Sequence, residues 1–465
     1  MDPVQRGRIT LNPDTHRLRA AAEHMVLDDV EEPHLFREVY PFTSIPKVPF
    51  NDRHVPMNTP SLNKIWITDT TFRDGQQARP PYTVEQIRTL YTLLNELGGP
   101  RGIIRQCEFF LYSERDKKAV DACLNLGFEF PEITGWVRAS KKDFDLVRRM
   151  GLKETGILTS VSDYHIFNKL QKTRSQTLDL YLGVVKDSLD AGVIPRCHLE
   201  DITKADFYGF VVPFAQELMK LAKDANRVIK IRACDTLGLG VPYPGAALPR
   251  SVPGIIYGLR TYAEFPPEWL EWHGHNDFYK AQVNAATAWL YGCSAVNTTL
   301  LGFGERTGNS PLEGMVIEYC QLFGTPNGMN LEVITQISDY LEREVGIQIP
   351  PSTPLVGRDF NVTRAGIHAD GLLKDPEIYN IFDTRKILNR PSMVSITDKS
   401  GLAGIVHWLE NHQKVKEGQR LSKQDRLVVA LWEKIQKEYE HGRVTSISDE
   451  EMEELVREVS QAIGE

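Results

Sequence analysis

The sequence predicts an α/β protein: a (β/α)8 barrel with an N-terminal extension and a C-terminal α-rich subdomain. Three observations predict it. Between about residues 64 and 323, short apolar runs alternate with amphipathic stretches of helical length, the pattern of βα units and a parallel sheet. Eight such runs in about 260 residues is the size of a closed barrel. Polar residues gather where the runs end, as they must if the strand C-termini converge on one mouth.

Residues 1–60 are rich in Pro, Asp and Arg with weak periodicity, and read as an extension with one short helix near Arg17–Leu27. The barrel is expected over 61–330. Its first run, "KIWITD" at 64, leads to Arg73 and Asp74, and the following "TVEQIRTLYTLLNELGG" has helical spacing and a Gly stop. "IIRQCEFF" at 103 carries Glu108, "FEFPEITGW" at 128 leads to Arg138, and "ETGILTSVS" at 154 leads to Ser162 and Asp163. "VIPRCHLED" at 193 ends in Glu200 and Asp201, and "VIKIRACDT" at 228 ends in Asp235 and Thr236. "WLEWHGHND" at 269 holds His273 and His275, and "SAVNTTLLGFGE" at 294 leads to Glu305 and Asn309. The long Pro- and Gly-rich connection after the sixth run reads equally as a surface loop or as part of an entrance to the mouth. Residues 331–465 are expected to form a helical module: "LEVITQISDYLEREVGI", a Pro-rich hinge, a polar segment containing His368, and a highly charged helical tail.

The totals exclude several classes. Lys+Arg is 54 against Asp+Glu 62, a formal net charge of −8, so no basic surplus points to nucleic acid or an anionic membrane. No apolar run is long enough to span a bilayer, and the first 35 residues have no apolar signal core. The six cysteines, at 107, 123, 197, 234, 293 and 320, form no CxxC pair, which suits reduced thiols in a cytoplasmic protein.

"HGHND" places His273 and His275 two apart at a strand end, where residues i and i+2 point the same way. Two imidazoles facing a barrel mouth suit a divalent metal; the alternative is a pair of polar histidines near a loop. The first, seventh and eighth strands of a barrel are neighbours, so Asp74 and Asn309 can each add an oxygen. Mixed His and oxygen ligands with open positions suit catalytic Mg²⁺, Mn²⁺, Co²⁺ or Zn²⁺. Arg73 beside Asp74 then has a use: a fixed guanidinium in a desolvated site stabilises negative charge growing on a substrate oxygen. Glu108 can hold Arg73 or a metal-bound water; a structural salt bridge is the competing reading of Arg73.

"DTTFRDGQQ", "CEFF", "HGHND" and "GFGERTGNSPLEG", followed by "RAGIHADGLLKDPEIYNIFD", together resemble the DRE-TIM metallolyase superfamily. Its Claisen-condensing members, the 2-isopropylmalate, homocitrate and (Re)-citrate synthases, are the most similar. The resemblance runs in chain order from Thr68 to Asp383. It implies that Asp74, His273 and His275 are metal ligands, with Asn309 as a nearby or fourth one. It implies that Arg73 polarises the substrate carbonyl and that Gln77 lines the 2-oxo acid site, with Glu108 and Thr236 beside it. In this family the metal chelates a 2-oxo acid, the methyl carbon of acetyl-CoA is deprotonated and attacks the keto carbon, and thioester hydrolysis follows. The resemblance also supplies the base: His368, from a module often contributed by the partner subunit of a homodimer. Glu200 is then its orienting carboxylate and Tyr379 an acid–base partner. From the residues alone His368 reads as a core histidine.

The same resemblance points to a dicarboxylic 2-oxo acid. Arg196 lies four residues before Glu200, where homocitrate synthases place an Arg for the distal carboxylate, and Arg138 can help. Trp136 stands where those enzymes carry a His; its bulk shortens the pocket and favours oxaloacetate, giving citrate, over 2-oxoglutarate. The chain after the helical module is too short for a regulatory leucine-binding domain, which weakens an isopropylmalate-type reading. Retro-Claisen lyases of the superfamily usually have a Cys in the loop after the eighth strand, and this loop has none. A non-catalytic 2-oxo acid or CoA sensor predicts lost ligands or base, whereas Arg73, Asp74, His273, His275 and His368 are all present.

Overall fold

The computed structural model describes residues 64–137, 141–243, 246, 248–412 and 421–464, and before them 10–12, 17–19, 43–44, 50–51 and 57. Three short strands, β1 (Thr10–Asn12), β2 (Arg17–Arg19) and β3 (Phe50–Asn51), form a small sheet in the order β1-β2-β3. The helix expected near Arg17–Leu27 is therefore corrected at its start: Arg17–Arg19 is extended and pairs with both neighbours. Residues 20–27 lie outside the described residues.

The eight expected runs form eight parallel strands that close on themselves. They are β4 (Trp66–Asp69), β5 (Ile104–Phe110), β6 (Glu132–Val137), β7 (Glu154–Ser160), β8 (Ile194–Glu200), β9 (Lys230–Asp235), β10 (Leu270–Gly274) and β11 (Ala295–Thr298). Consecutive strands pair all the way round, and β11 returns to β4 with Ala295 opposite Trp66. Helices follow the strands: α1 (Val84–Gly98), α2 (Glu114–Leu124), α3 (Lys141–Arg149), α4 (Arg174–Asp190), α5 (Val212–Ala225), α6 (Val252–Thr261), α7 (Ala281–Tyr291) and α8 (Leu312–Phe323). The helix α1 shows why: Thr83 and Gln86 form a reciprocal cap at its start, and Ile87, Leu90, Tyr91, Leu94 and Leu97 recur on one buried face. The Pro-rich connection after β9 contains α6, which buries Ile255, Ile256 and Leu259, so much of it is barrel wall rather than loop.

The chain divides into two compact units, and the expected boundary at 330 moves to Val345/Gly346. Helix α9 (Val333–Arg343) belongs with the barrel, where Asn330 N–H bonds the carbonyl of Leu97 and Gln86 reaches the carbonyl of Glu344. The second unit holds β12 (Val362–Thr363), α10 (Gly366–Lys374), α11 (Thr384–Leu388), β13 (Met393–Val394), α12 (Gly401–His412), α13 (Arg426–Glu440) and α14 (Asp449–Ile463). It has its own apolar core, in which Ala369, Ile396, Ile405, Leu409, Leu431, Ile435 and Met452 are all buried.

The barrel interior is ionic, and its pairs show the side chains crossing it. Glu108 of β5 receives Nη1 of Arg232 (3.0 Å) from β9 and Nη2 of Arg196 (2.6 Å) from β8. In an eight-stranded ring β5 and β9 stand opposite, so these groups meet across the lumen. Glu154, Glu271 and Gln106 complete the set: Arg196 Nη1 bonds Glu154 (2.8 Å) and Gln106 (3.1 Å), and Arg232 Nε bonds Glu271 (2.5 Å). Gly156 leaves room for it; a Cβ there would lie 2.6 Å from Nε2 of His198.

Candidate metal centre

At the mouth, β4 hands the chain to a tight turn that carries Arg73 and Asp74, while β10 presents His273 and His275 on one side. His273 and His275 bring their Nε2 atoms to 3.3 Å, and Asp74 Oδ2 lies 4.0 and 3.9 Å from them. All three side chains are nearly inaccessible, and they are the metal-capable cluster found among the described residues. Asn309 joins them by donating Nδ2 to Asp74 Oδ2 at 2.5 Å.

The electrostatics suit a dication. Burial pushes the Asp74 carboxyl up, but the adjacent Arg73 guanidinium and the two imidazoles more than offset this and hold it at about 2. Burial lowers His273 to about 4 and lowers His275 as well, so both rings are neutral and carry a lone pair at neutral pH. Two buried polar atoms here lack a partner among the described residues: Nδ1 of His275 and Oδ1 of Asn309. Two nitrogens, one carboxylate oxygen and an amide oxygen able to turn inward are a donor set that fits a divalent first-row ion or Mg²⁺.

Arg73 is held on two sides. Its Nε donates to Glu108 Oε1 (3.1 Å), its Nη1 to Asp74 Oδ1 (2.6 Å), and Nη2 has no hydrogen bond among the described residues. The Trp136 ring lies against the guanidinium, with its centroid 5.1 Å from Cζ. Glu108 is 1% exposed, and Arg73, Arg196, Arg232 and Thr70 all donate to it. Burial opposes its ionisation, yet Arg232, Arg73, His198 and Arg196 hold it well below the usual carboxylate range. The expectation of Glu108 as a substrate contact is corrected: its oxygens are taken, and it anchors Arg73.

Arg196 is corrected too. Leu199, Ala233 and Trp272 lie in register across β8, β9 and β10, so Glu200 shares the level of Cys234 and His273. Arg196 stands four residues lower, about 13 Å along the strand. Its N–H groups are spent on Glu108, Glu154, Glu271, Gln106 and Thr134, and the residue is 1% exposed. A substrate carboxylate has no donor to claim there. Arg138 lies outside the described residues.

The remaining expected residues are placed as follows. Gln77 is exposed in the turn after Asp74, while its neighbour Gln76 caps that turn through the Phe72 carbonyl and Tyr82 N–H. Thr236 follows β9, its hydroxyl accepting from Asp201 N–H at 2.8 Å. Glu200 ends β8 and is paired inside the barrel unit: His165 Nδ1 stands 3.0 Å from Oε2, and Lys169 and Ser160 bind the same oxygen. Its Oε1 has no hydrogen bond among the described residues. His368 and Tyr379 lie in the second unit with ring centroids 4.3 Å apart. His368 is half-buried on α10, next to Ile367 at 75% exposure, so the core-histidine reading does not hold.

Sequence reasoning did not pick out Asn297, Thr68, Glu271, Arg232 or His165. A signal existed for one of them: Glu271 and His273 alternate along β10 and so share a face, with His275 next in the same alternation just past its end. For the others the link runs between strands.

Comparison with known proteins matches residues 64–341 to the family described as HMGL-like. The chain is 58% identical over 431 residues to a citrate (Re)-synthase of Syntrophus aciditrophicus, covering 93% of this chain and 68% of that protein. It is 53% identical over 441 residues to a citrate (Re)-synthase of Clostridium kluyveri, covering 94% and 96%. Among solved structures, a hydroxymethylglutaryl-CoA lyase from Pseudomonas aeruginosa superposes with a TM-score of 0.50 at 16% identity, covering 63% of this chain and 96% of that one. That likeness concerns the barrel fold alone.

Proposed function

The chain belongs to the HMGL-like family, and from that premise we propose that it is a metal-dependent (Re)-citrate synthase. It condenses acetyl-CoA with oxaloacetate and water to give citrate and CoA. One observation carries the reading: a buried Asp74–His273–His275 triangle with the open Nη2 of Arg73 beside it. The relatives at 58% and 53% identity, both named citrate (Re)-synthase, support citrate as the product.

Asp74, His273 and His275 would hold the ion, with Asn309 as a further oxygen donor beside them. When bound, the divalent ion supplies Lewis-acid polarisation and orientation of the 2-oxo acid. Arg73 does the rest at the keto oxygen: Glu108 and Asp74 fix its plane, and Nη2 donates where negative charge grows. Trp136 lies against the guanidinium, and its bulk beside Arg73 is what favours oxaloacetate over the longer 2-oxoglutarate. His368 takes the methyl proton of acetyl-CoA, the new C–C bond forms to the keto carbon, and water releases CoA from the thioester. Tyr379, its ring tilted against His368 with centroids 4.3 Å apart, holds that imidazole in place, and the assembled enzyme is a cytoplasmic homodimer. No described helix is long and apolar enough to cross a membrane.

The test is thiol release from acetyl-CoA with oxaloacetate, 2-oxoglutarate and 2-oxoisovalerate, after chelation and metal add-back. Turnover fastest with oxaloacetate and dependent on metal is expected. Product made with methyl-labelled acetyl-CoA and cleaved by a citrate lyase of Si stereochemistry should retain its label in oxaloacetate. Preference for another acid, or label in acetate, rejects the reading.

A further inference from the structure

The two imidazoles of the metal centre are not held alike. His275 Nδ1 has no partner among the described residues, whereas His273 Nδ1 lies 2.8 Å from Asn297 Oδ1. The register makes this pair: His273 of β10 stands opposite Asn297 of β11. Asn297 Nδ2 then bonds Thr68 Oγ1 at 3.0 Å, and Thr68 Oγ1 makes a short bond to Glu271 Oε1. Every member is buried.

The polarity of this chain follows from counting protons. Glu271 is paired as a carboxylate with two guanidinium groups: Arg232 Nε lies 2.5 Å and Arg196 Nε 3.3 Å from its Oε2. An ionised carboxylate only accepts, so Thr68 must donate to it. The one hydroxyl proton is then used, and Thr68 oxygen must accept from Asn297. That fixes the amide with NH₂ toward Thr68 and its oxygen toward His273. An amide oxygen only accepts, so His273 carries its proton on Nδ1 and leaves Nε2 as a lone pair aimed at Asp74 and His275. The chain does not end at Glu271. Arg232 links it to Glu108, Glu108 to Arg73, and Arg73 to Asp74, which closes a ring beneath the metal centre.

We infer that Asn297 is a positioning residue for the metal centre, setting the tautomer and ring plane of His273 through a directional Glu271–Thr68–Asn297 relay. The inference rests on Asp74, His273 and His275 being the metal centre. Loss of such a supporting partner typically weakens metal binding by about 10–100-fold.

The experiment is titration of chelator-treated full-length protein with Mn²⁺, reading free ion by electron paramagnetic resonance. Asn297→Leu is expected to bind about 10–100-fold more weakly. Wild-type binding with unchanged affinity in Asn297→Leu overturns the inference while leaving the metal centre standing. Wild type that binds no Mn²⁺ overturns both. Because Asn297→Leu can fail to fold, nitrogen-15 NMR of metal-free wild type reads the bond directly: His273 as the Nδ1–H tautomer is expected, and the Nε2–H tautomer overturns the relay.

Discussion

His273 and His275 face each other through their Nε2 atoms at 3.3 Å, a separation that suits two ligands on one ion about 2.1 Å from each. Removing either ring leaves one nitrogen, one carboxylate and the Asn309 amide oxygen. His273→Ala and His275→Ala are expected to lose more affinity than the roughly 10–100-fold that loss of a supporting residue costs. Metal content after gel filtration, read beside thiol release, checks this; full metal content in either variant contradicts the site.

Arg73 is gripped by Glu108 and Asp74 and keeps one nitrogen open. Arg73→Ala is expected to lower kcat by about 10²–10³-fold with metal content unchanged. Arg73→Lys is expected to recover little, because an ammonium cannot hold both carboxylates and still present a donor in the same plane. Steady-state kinetics with metal analysis decides it.

Arg196 tests the division between lumen and mouth. Breaking a buried ion pair by removing one partner costs about 3–5 kcal/mol. Arg196→Met strips Glu108 and Glu154 of a cation, so the urea midpoint should fall sharply. Normal stability with a raised KM for oxaloacetate would restore Arg196 as a carboxylate-binding residue.

These outcomes also show where the sequence was legible. Eight apolar runs, their order and their polar ends could be read because each is local in the chain. The metal ligands could be read because Asp74 and the pair His273 and His275 each end a run. What could not be read is which partner a buried charge takes. Arg196 is an arginine near a strand end by sequence, and only the alignment of β8 against β9 and β10 drops it below the mouth. Asn297 is one polar residue in "AVNT", and its meaning lies in its partner across the ladder. His165 falls in the segment after β7, and nothing local shows that it reaches Glu200.

Glu313, in the first turn of α8, is buried and raised to about 7, chiefly by desolvation, against bonds from its own backbone N–H and from Leu301 N–H (3.0 Å). Its unfolded value is near 4.5. A carboxyl raised in the folded state contributes stability below about pH 4.5 that is lost as pH rises through about 7. Glu313→Gln keeps an acceptor for Leu301 and cannot ionise. It should therefore gain stability over wild type at pH 8 and little at pH 5, measured by urea unfolding at both. Equal effects at the two pH values contradict the assignment.

His368 is half-buried, so losing it should spare the fold. His368→Ala is expected to lower turnover by about 10²–10⁴-fold, the usual contribution of a positioned acid–base group, with thermal midpoint and metal content near wild type. A fall in the midpoint with little kinetic effect would instead make it a structural residue.

The closure of β11 onto β4 has a consequence for how the protein comes into being. Asp74 and Arg73 leave the ribosome about two hundred residues before His273 and His275. A nascent chain that has emerged only through β9 carries an acid and a guanidinium but no imidazole pair to set beside them. The ion's binding site is thus a late product of synthesis, created by the long-range pairing that is slowest to find. Metal uptake during translation would mark the moment the ring is complete.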